Sequence, residues 1–419
     1  MRILIVQHDS FLNGYGGTEK ICSFLANGFS AHGHEVIIAV NQKEGGEAVF
    51  PLNPKVQIEN IYSPTVPQLE FNLPSKYRGN NPFRWLVSRV DRKYQKVQLA
   101  KRRKALNINE EEIYLYNLLH RSTHWARYIK SVQADLIISM SLSSFLEISY
   151  AEKPLVPVIN SVNGRPDYDF ENRVCYHPAY ETRVLRESFK KLKACQVLFD
   201  SYHSFLPPEF KGLSRTIGNP IPQYNQAAGV DPVQEKTVYT IVNLARLDIN
   251  CKQQDVAIDV FSSLYERFPN WNLSFWGVGR DESVLRQKIK DLGLENRVFL
   301  EGFTDSPDKI MEQADIFLFP SKYEGFGLAL GEAMALGIPS LGFASCSGVN
   351  ELISDSVSGF LAKDIKDMTD KLEMLMSSSA LRKELGAAAS ESMKEFDSKV
   401  ILDKWLAFVE ELVERREDD

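Results

Sequence analysis

The chain alternates short apolar runs with longer stretches in which apolar residues return every three or four positions. Ile3 to Val6, Val36 to Val40, Leu136 to Met140, Leu155 to Ile159 and Gln196 to Phe199 form a first series. Val238 to Val242, Leu273 to Trp276, Val298 to Leu300 and Ile316 to Phe319 form a second. Runs of this length that are apolar on both faces predict strands of a buried parallel sheet. Segments between them, such as Val256 to Phe268 and Glu282 to Leu292, carry the helical period. Strand and helix in alternation, twice over, predict two doubly wound α/β domains.

A length of 419 residues suits two such domains of roughly 200 residues each. The stretch from Ile217 to Pro232, rich in proline and glycine, interrupts both patterns, so a hinge is expected near Asn219. This divides the chain into residues 1–218 and 219–397. In residues 398–419, Ile401, Trp405, Phe408 and Leu412 share one helical face that needs an apolar partner. That helix is expected to pack back on the first domain, with the acidic residues from Glu410 to Asp419 fraying into water.

Composition narrows the picture only a little. The 44% hydrophobic and 25% charged fractions are those of a globular protein. A formal charge of -6 argues against a nucleic-acid partner held by a generally basic surface. Cys22, Cys175, Cys195, Cys251 and Cys346 are spread without a CxxC or zinc spacing, which reads as unpaired thiols in a reducing compartment. The first residues hold only a four-residue apolar run, and no stretch approaches membrane-spanning length. The sequence is therefore read as cytoplasmic, neither secreted nor integral.

One segment departs from this average. Lys76, Arg78, Arg84, Arg89, Arg92, Lys93, Lys96, Lys101, Arg102, Arg103 and Lys104 stand against the single acid Asp91, while Phe83, Leu86, Val90, Tyr94 and Val97 recur at helical spacing. Two readings fit: a basic amphipathic helix on an anionic membrane surface, peripheral on the inner face, or a helix that packs its stripe on its own domain and leaves the bases solvated.

The densest chemical signal is Ser321-Lys-Tyr-Glu-Gly-Phe-Gly-Leu-Ala-Leu-Gly-Glu-Ala-Met-Ala-Leu-Gly-Ile-Pro339, directly after an apolar strand. A strand, a glycine turn and a helix in succession leave backbone amides near Phe326, Gly327 and Leu328 at a helix N-terminus, which favours phosphate. Gly325 and Gly327 permit close approach of a ligand. Glu324 in the turn and Glu332 inside the helix suit sugar diols, since a carboxylate accepts paired hydrogen bonds; a helix cap and a solvated charge are the plainer alternatives. A second element, Val242-Asn-Leu-Ala-Arg-Leu-Asp-Ile-Asn-Cys-Lys252, follows the first strand of the second half. A third, Asn13-Gly-Tyr-Gly-Gly-Thr-Glu-Lys20, lies between the first strand and first helix, where open α/β sheets present ligands.

Together these stretches resemble the family 4 retaining glycosyltransferases of the GT-B fold, the glycosyl transferases group 1. The run from Ser321 matches that family's Glu-x7-Glu element, Arg246 with Lys252 its donor-phosphate signature, and Gly16-Gly17 its GG-x-E loop. The resemblance implies two Rossmann-like domains facing a central cleft. It implies that Glu324 contacts the transferred sugar and Glu332 the ribose, and that Arg246 and Lys252 neutralise the pyrophosphate. Charged hydrogen bonds of that kind are worth roughly 1.5 to 3 kcal/mol each. Gly16, Gly17, Asn163, Gly277, Gly325, Phe326, Gly327 and Leu328 complete the donor-binding set. The chain departs from the family pattern at Ala245 and Gln253, which stand where glycines are usual, and at Asn163 in Ser161-Val-Asn-Gly-Arg-Pro166, where a histidine is common. Asparagine positions but does not act as a base near neutral pH.

Other candidates read more plainly. Asp167-Tyr-Asp169 has the spacing of a divalent-metal motif but is read as a loop turn, and His177 as structural. No metal and no cofactor are expected beyond the nucleotide-sugar substrate. The function implied is transfer of a sugar from a nucleotide diphosphate to a glycan or lipid-linked acceptor, as in surface polysaccharide or lipopolysaccharide synthesis. A nucleotide-sugar epimerase or glucan synthase of the same fold, and a non-catalytic two-lobed sugar-binding protein, remain alternatives. Nucleotide base, sugar, acceptor and linkage have no local code.

Overall fold

The computed structural model describes residues 1–71, 73, 77, 81–171, 174, 176–224 and 236–418. Lys76, Arg78, Cys175, Asp419 and positions 225–232 of the expected hinge segment lie outside them. The first lobe runs β1 (Arg2–Val6), α1 (Gly17–Ala31), β2 (Glu35–Val40), β3 (Gln57–Asn60), α2 (Pro82–Leu106), α3 (Glu110–Val132), β4 (Leu136–Ser139), α4 (Leu142–Ser149), β5 (Val158–Ser161), α5 (Ala179–Ser188), β6 (Ala194–Val197) and β7 (Leu213–Thr216). The second continues with β8 (Tyr239–Leu244), α6 (Ile249–Lys252), α7 (Gln254–Ser262), β9 (Trp271–Trp276), α8 (Glu282–Asp291), β10 (Val298–Gly302), α9 (Pro307–Met311), β11 (Ile316–Phe319), α10 (Leu328–Ala335), β12 (Ser340–Phe343), α11 (Ser347–Leu352), β13 (Phe360–Ala362), α12 (Ile365–Ser377) and α13 (Ser379–Ser392). A final helix, α14, spans Ser398–Asp418.

Both sheets are parallel. Their strand orders are β3-β2-β1-β4-β5-β6-β7 and β10-β9-β8-β11-β12-β13. Ile3 to Val6, Leu136 to Ile138 and Ile316 to Phe319 are buried without interruption, because helices cover both faces of each sheet.

The chain crosses between the lobes twice, side by side. The Ile221 amide donates to the Phe396 carbonyl at 2.8 Å. Beyond this point α14 lies on the first lobe. Leu402 fills the space beside Gly28 of α1, Glu411 pairs with Arg215 of β7 at 2.6 Å, and Ile401, Trp405, Phe408, Val409 and Leu412 are buried.

Several element bounds differ from the sequence reading. β5 occupies Val158–Ser161 instead of Leu155 to Ile159, and Leu155 is 83% exposed. Pro154 and Pro157 have no N–H to donate to a ladder, and the first bond to β4 is the Ile137 amide on the Pro157 carbonyl at 3.0 Å. β6 is Ala194–Val197, not Gln196 to Phe199, because Phe199 leaves the sheet to stack on Phe326 of the other lobe with ring centroids 5.2 Å apart. α7 ends at Ser262 rather than running to Phe268.

The largest correction concerns the basic segment. α2 is a continuous helix, capped by Asn81 accepting from the amides of Phe83 and Arg84 and ended by Asn107 in a left-handed conformation. None of its residues is buried. Of the two readings of this segment, the one in which the stripe packs on its own domain is overturned. Instead α3 covers the lobe, burying Leu118, Trp125 and Ile129.

Candidate functional site between the lobes

Each sheet has one place where neighbouring strands send their connections to opposite sides: between β1 and β4, and between β8 and β11. Such a place opens a crevice at the carboxyl ends of the strands. The turn after β1 carries Gly16 and Gly17, and those after β8 and β11 carry Arg246 to Lys252 and Glu324 to Gly327. These ends meet in a cavity of about 310 Å³ lined by Gly17, Thr18, Asn163, Asn219, Arg246, Lys252, Phe319 and residues 324–329.

Charge sits on the second-lobe wall. The Lys252 ammonium donates to a Glu324 carboxylate oxygen and lies 5.6 Å from the Phe319 ring centroid. Arg246 is 68% exposed in its side chain and only loosely tied to Asp248, at 3.4 Å. Asp248 is more firmly held by Arg280, at 2.9 Å. Arg246 is thus free to turn to an anion. Gly327 starts α10 at φ +89 with no side-chain cap, and the helical ladder begins only with the Gly331 amide on the Gly327 carbonyl. The preceding amides therefore have no intrahelical acceptor and face the cavity as an anion site. Burial and the nearby Glu324 carboxylate push the Cys346 thiol up to about 12, so it stays protonated.

The first-lobe wall is shaped by glycine and backbone. Gly16 precedes α1 in an extended conformation, and a Cβ there would overlap the Glu19 carboxylate folded beneath the turn. Glu19 accepts from Gln7 Nε2 at 2.8 Å, the amides of Gly16 and Glu19 itself point at it, and burial raises its pKa. A Cβ on Gly17 would stand 3.0 Å from Leu328 across the cleft. Asn163 turns its amide group into its own lobe, Nδ2 donating to the Met140 carbonyl at 2.8 Å, and offers its backbone carbonyl to Gly325. A Cβ on Gly325 would overlap that oxygen, so glycine is what lets the two walls approach.

Glu332 is buried and stands off the cavity wall. Its carboxylate accepts from Lys20 Nζ of the first lobe, an ion pair across the cleft. Gly277 also lies outside the lining. At φ +138 it sits beneath the Ala245 carbonyl and supports the turn after β8. Asp167 is held by both arms of Arg165, at 2.6 and 2.9 Å, while Arg165 reaches Ser347 of the other lobe at 2.8 Å. His177 meets Glu181 at 3.2 Å. The sequence reading gave no role in the site to Lys20, Glu19, Arg165 or Asn219. The first two follow Gly16-Gly17 directly, but nothing local links Lys20 to a partner 312 positions away.

The architecture is that of the GT-B glycosyltransferases. Over 98% of this chain and 99% of the other, it superposes on Staphylococcus aureus TarM, solved with UDP, with a TM-score of 0.71 at 16% identity. The lipopolysaccharide outer core galactosyltransferase WaaB gives 0.67 at 16% identity over 97% and 98% of the two chains. Within it, residues 230–392 match the family of glycosyl transferases group 1. An exopolysaccharide phosphotransferase of Streptomyces coelicolor is 33% identical over 48% of this chain and 21% of its own length. The poly(ribitol-phosphate) alpha-N-acetylglucosaminyltransferase of S. aureus is 30% identical over 42% and 36%. The matches thus span about a third or less of these relatives. Among the described residues no helix is long and apolar enough to cross a membrane.

Proposed function

We propose that the chain is a retaining, metal-independent glycosyltransferase that moves a sugar from a nucleotide diphosphate to a glycan or lipid-linked acceptor. The convergence of Arg246, Lys252, Glu324 and the α10 N-terminus on one cavity, opposite Gly17 and the Asn163 carbonyl, carries this reading. Arg246, Lys252 and the amides before Gly331 bind the diphosphate and stabilise the charge that grows on it as the glycosidic bond breaks. Glu324, released from Lys252, accepts from sugar hydroxyls. Glu332, released from Lys20, accepts from the ribose. The acceptor enters along the first lobe, and its oxygen bonds to the anomeric carbon on the face the phosphate leaves. The acceptor proton passes to the departing phosphate oxygen, so no protein base is needed and configuration is kept. A relative named for poly(ribitol-phosphate) and a structural neighbour named for lipopolysaccharide support a surface-glycan acceptor.

The test is a screen of UDP-, GDP- and ADP-sugars with purified protein, with and without EDTA, following nucleotide release. Release from one donor, unchanged by EDTA and lost in Glu324→Ala, is the expected result. An isomerised donor with no acceptor consumed would indicate an epimerase, a growing glucan a synthase, and binding without turnover a sugar-binding protein.

A further inference from the structure

α2 presents 25 residues to solvent. Phe83, Leu86, Val90, Tyr94 and Val97 fall on one face at 100° per residue and are between 49% and 73% exposed. The helix carries nine bases against Asp91, in a chain whose total charge is -6, so the rest of the molecule has the opposite sign. Lys93 stands beside the apolar stripe, Lys101 and Lys104 follow it on the same face, and these three and Lys96 make no ion pair among the described residues. A polyanion would satisfy these bases but leave the stripe in water. A second copy docked stripe to stripe would bring two strongly positive helices together. An anionic bilayer satisfies both features at once, taking the stripe at the acyl boundary and the bases among its headgroups.

The helix is also placed to matter. β3 ends, and α3 begins, at the cleft-facing edge of the first sheet, since α3 leads back to the start of β4. Arg103 donates to Glu110 at 2.5 Å, and Arg102 and Arg103 both stack on Phe71 at 5.2 Å, which fixes the end of α2 near that rim. We propose that α2 seats the protein on an anionic membrane surface so that the cleft opens beside the headgroups. The benefit to catalysis rests on the lipid-linked acceptor proposed above; the docking itself does not.

Full-length protein is mixed with vesicles of phosphatidylcholine plus phosphatidylglycerol, or of phosphatidylcholine alone, and sedimented at low and high salt. Binding is expected only to the anionic vesicles, weakening with salt. Each base near the headgroups is worth about fivefold in partitioning. Lys93→Gln, Lys96→Gln, Lys101→Gln and Lys104→Gln combined should therefore weaken binding by roughly several hundredfold. The combination Phe83→Ser, Leu86→Ser and Tyr94→Ser should abolish it as well. Because no α2 side chain is buried, both variants should keep the wild-type Tm and nucleotide release. Absence of wild-type binding overturns the proposal, as does binding that survives either variant; survival of the serine variant alone would mark a polyanion surface. Vesicle binding without turnover of any donor would instead sink the transferase reading and leave the docking intact.

Discussion

The two walls of the cleft rest on the same parallel-sheet architecture and hold their parts of the site by different means. The second lobe supplies charge, with Arg246, Lys252 and Glu324 on turns at two adjacent strand ends and Lys252 and Glu324 paired across a few ångströms. The first lobe lines the cavity with Gly17, Thr18 and Asn163 and no charged side chain among the described residues. Its turn is shaped by the buried Glu19, and among the described residues its ion pair across the cleft is Lys20 to Glu332. An anionic donor needs fixed positive charge on one side only. The opposite side must come close without adding a competing field, which glycine and backbone carbonyls achieve.

If the second wall provides the charge, Lys252→Ala should have the largest effect, lowering turnover by about 100- to 1,000-fold. The substitution also leaves the mostly buried Glu324 without its partner, so Lys252→Arg should restore part of the loss. Turnover within tenfold of wild type would break the division of labour. Gly325→Ala tests the approach of the walls. Its methyl group would meet the Asn163 carbonyl and hold the lobes apart. Misplacement by about an ångström costs on the order of 100-fold, so kcat should fall by roughly that factor while nucleotide affinity, which needs the second wall alone, stays within a few-fold. Equal loss of both would show that the first wall binds nucleotide too.

Lys20→Met should act more weakly and in the opposite sense. The Lys20–Glu332 pair spans the cleft, and on the proposed reading a donor displaces it to reach Glu332. A partly exposed pair is worth about 0 to 1 kcal/mol, so its removal should lower donor KM by up to about fivefold. A higher KM would mean that Lys20 itself contacts the donor.

The same contrast explains what the sequence made legible. Helical period announced both α2 and α14, yet α14 buries Trp405 and Phe408 against the first lobe while α2 buries nothing. Period reports a stripe; only tertiary structure decides what covers it. The uninterrupted apolar strands were readable because both faces are buried. β3 and β7, at the edges of the first sheet with sequences QIEN and LSRT, carry too few apolar residues to stand out, and β12 and β13 are only four and three residues long. On the second wall, motif residues lie close in sequence to the turns that present them. On the first, the side chains that shape the turn or cross the cleft, Glu19 and Lys20, gain meaning only from partners brought in by the fold.

The smallest effect probes whether the first wall needs charge at all. Burial raises the Glu19 pKa in the folded protein, so the unfolded chain releases that proton more readily. Stability is therefore lost as pH rises from the ordinary glutamate value of 4.5 towards the folded value, and the loss persists above it. Glu19→Gln carries no such penalty. Gln7 Oε1 is buried without a partner, so a flipped Gln7 can accept from the new amide while the remaining oxygen of residue 19 still meets the turn amides. The variant should match wild type near pH 4 and exceed its Tm by about 2 °C at pH 7, with turnover changed less than a few-fold. Thermal scans of both proteins across that range decide the matter. A variant less stable than wild type at pH 7 would show that the turn amides require a full negative charge beneath them, and that the first wall, too, is held by electrostatics.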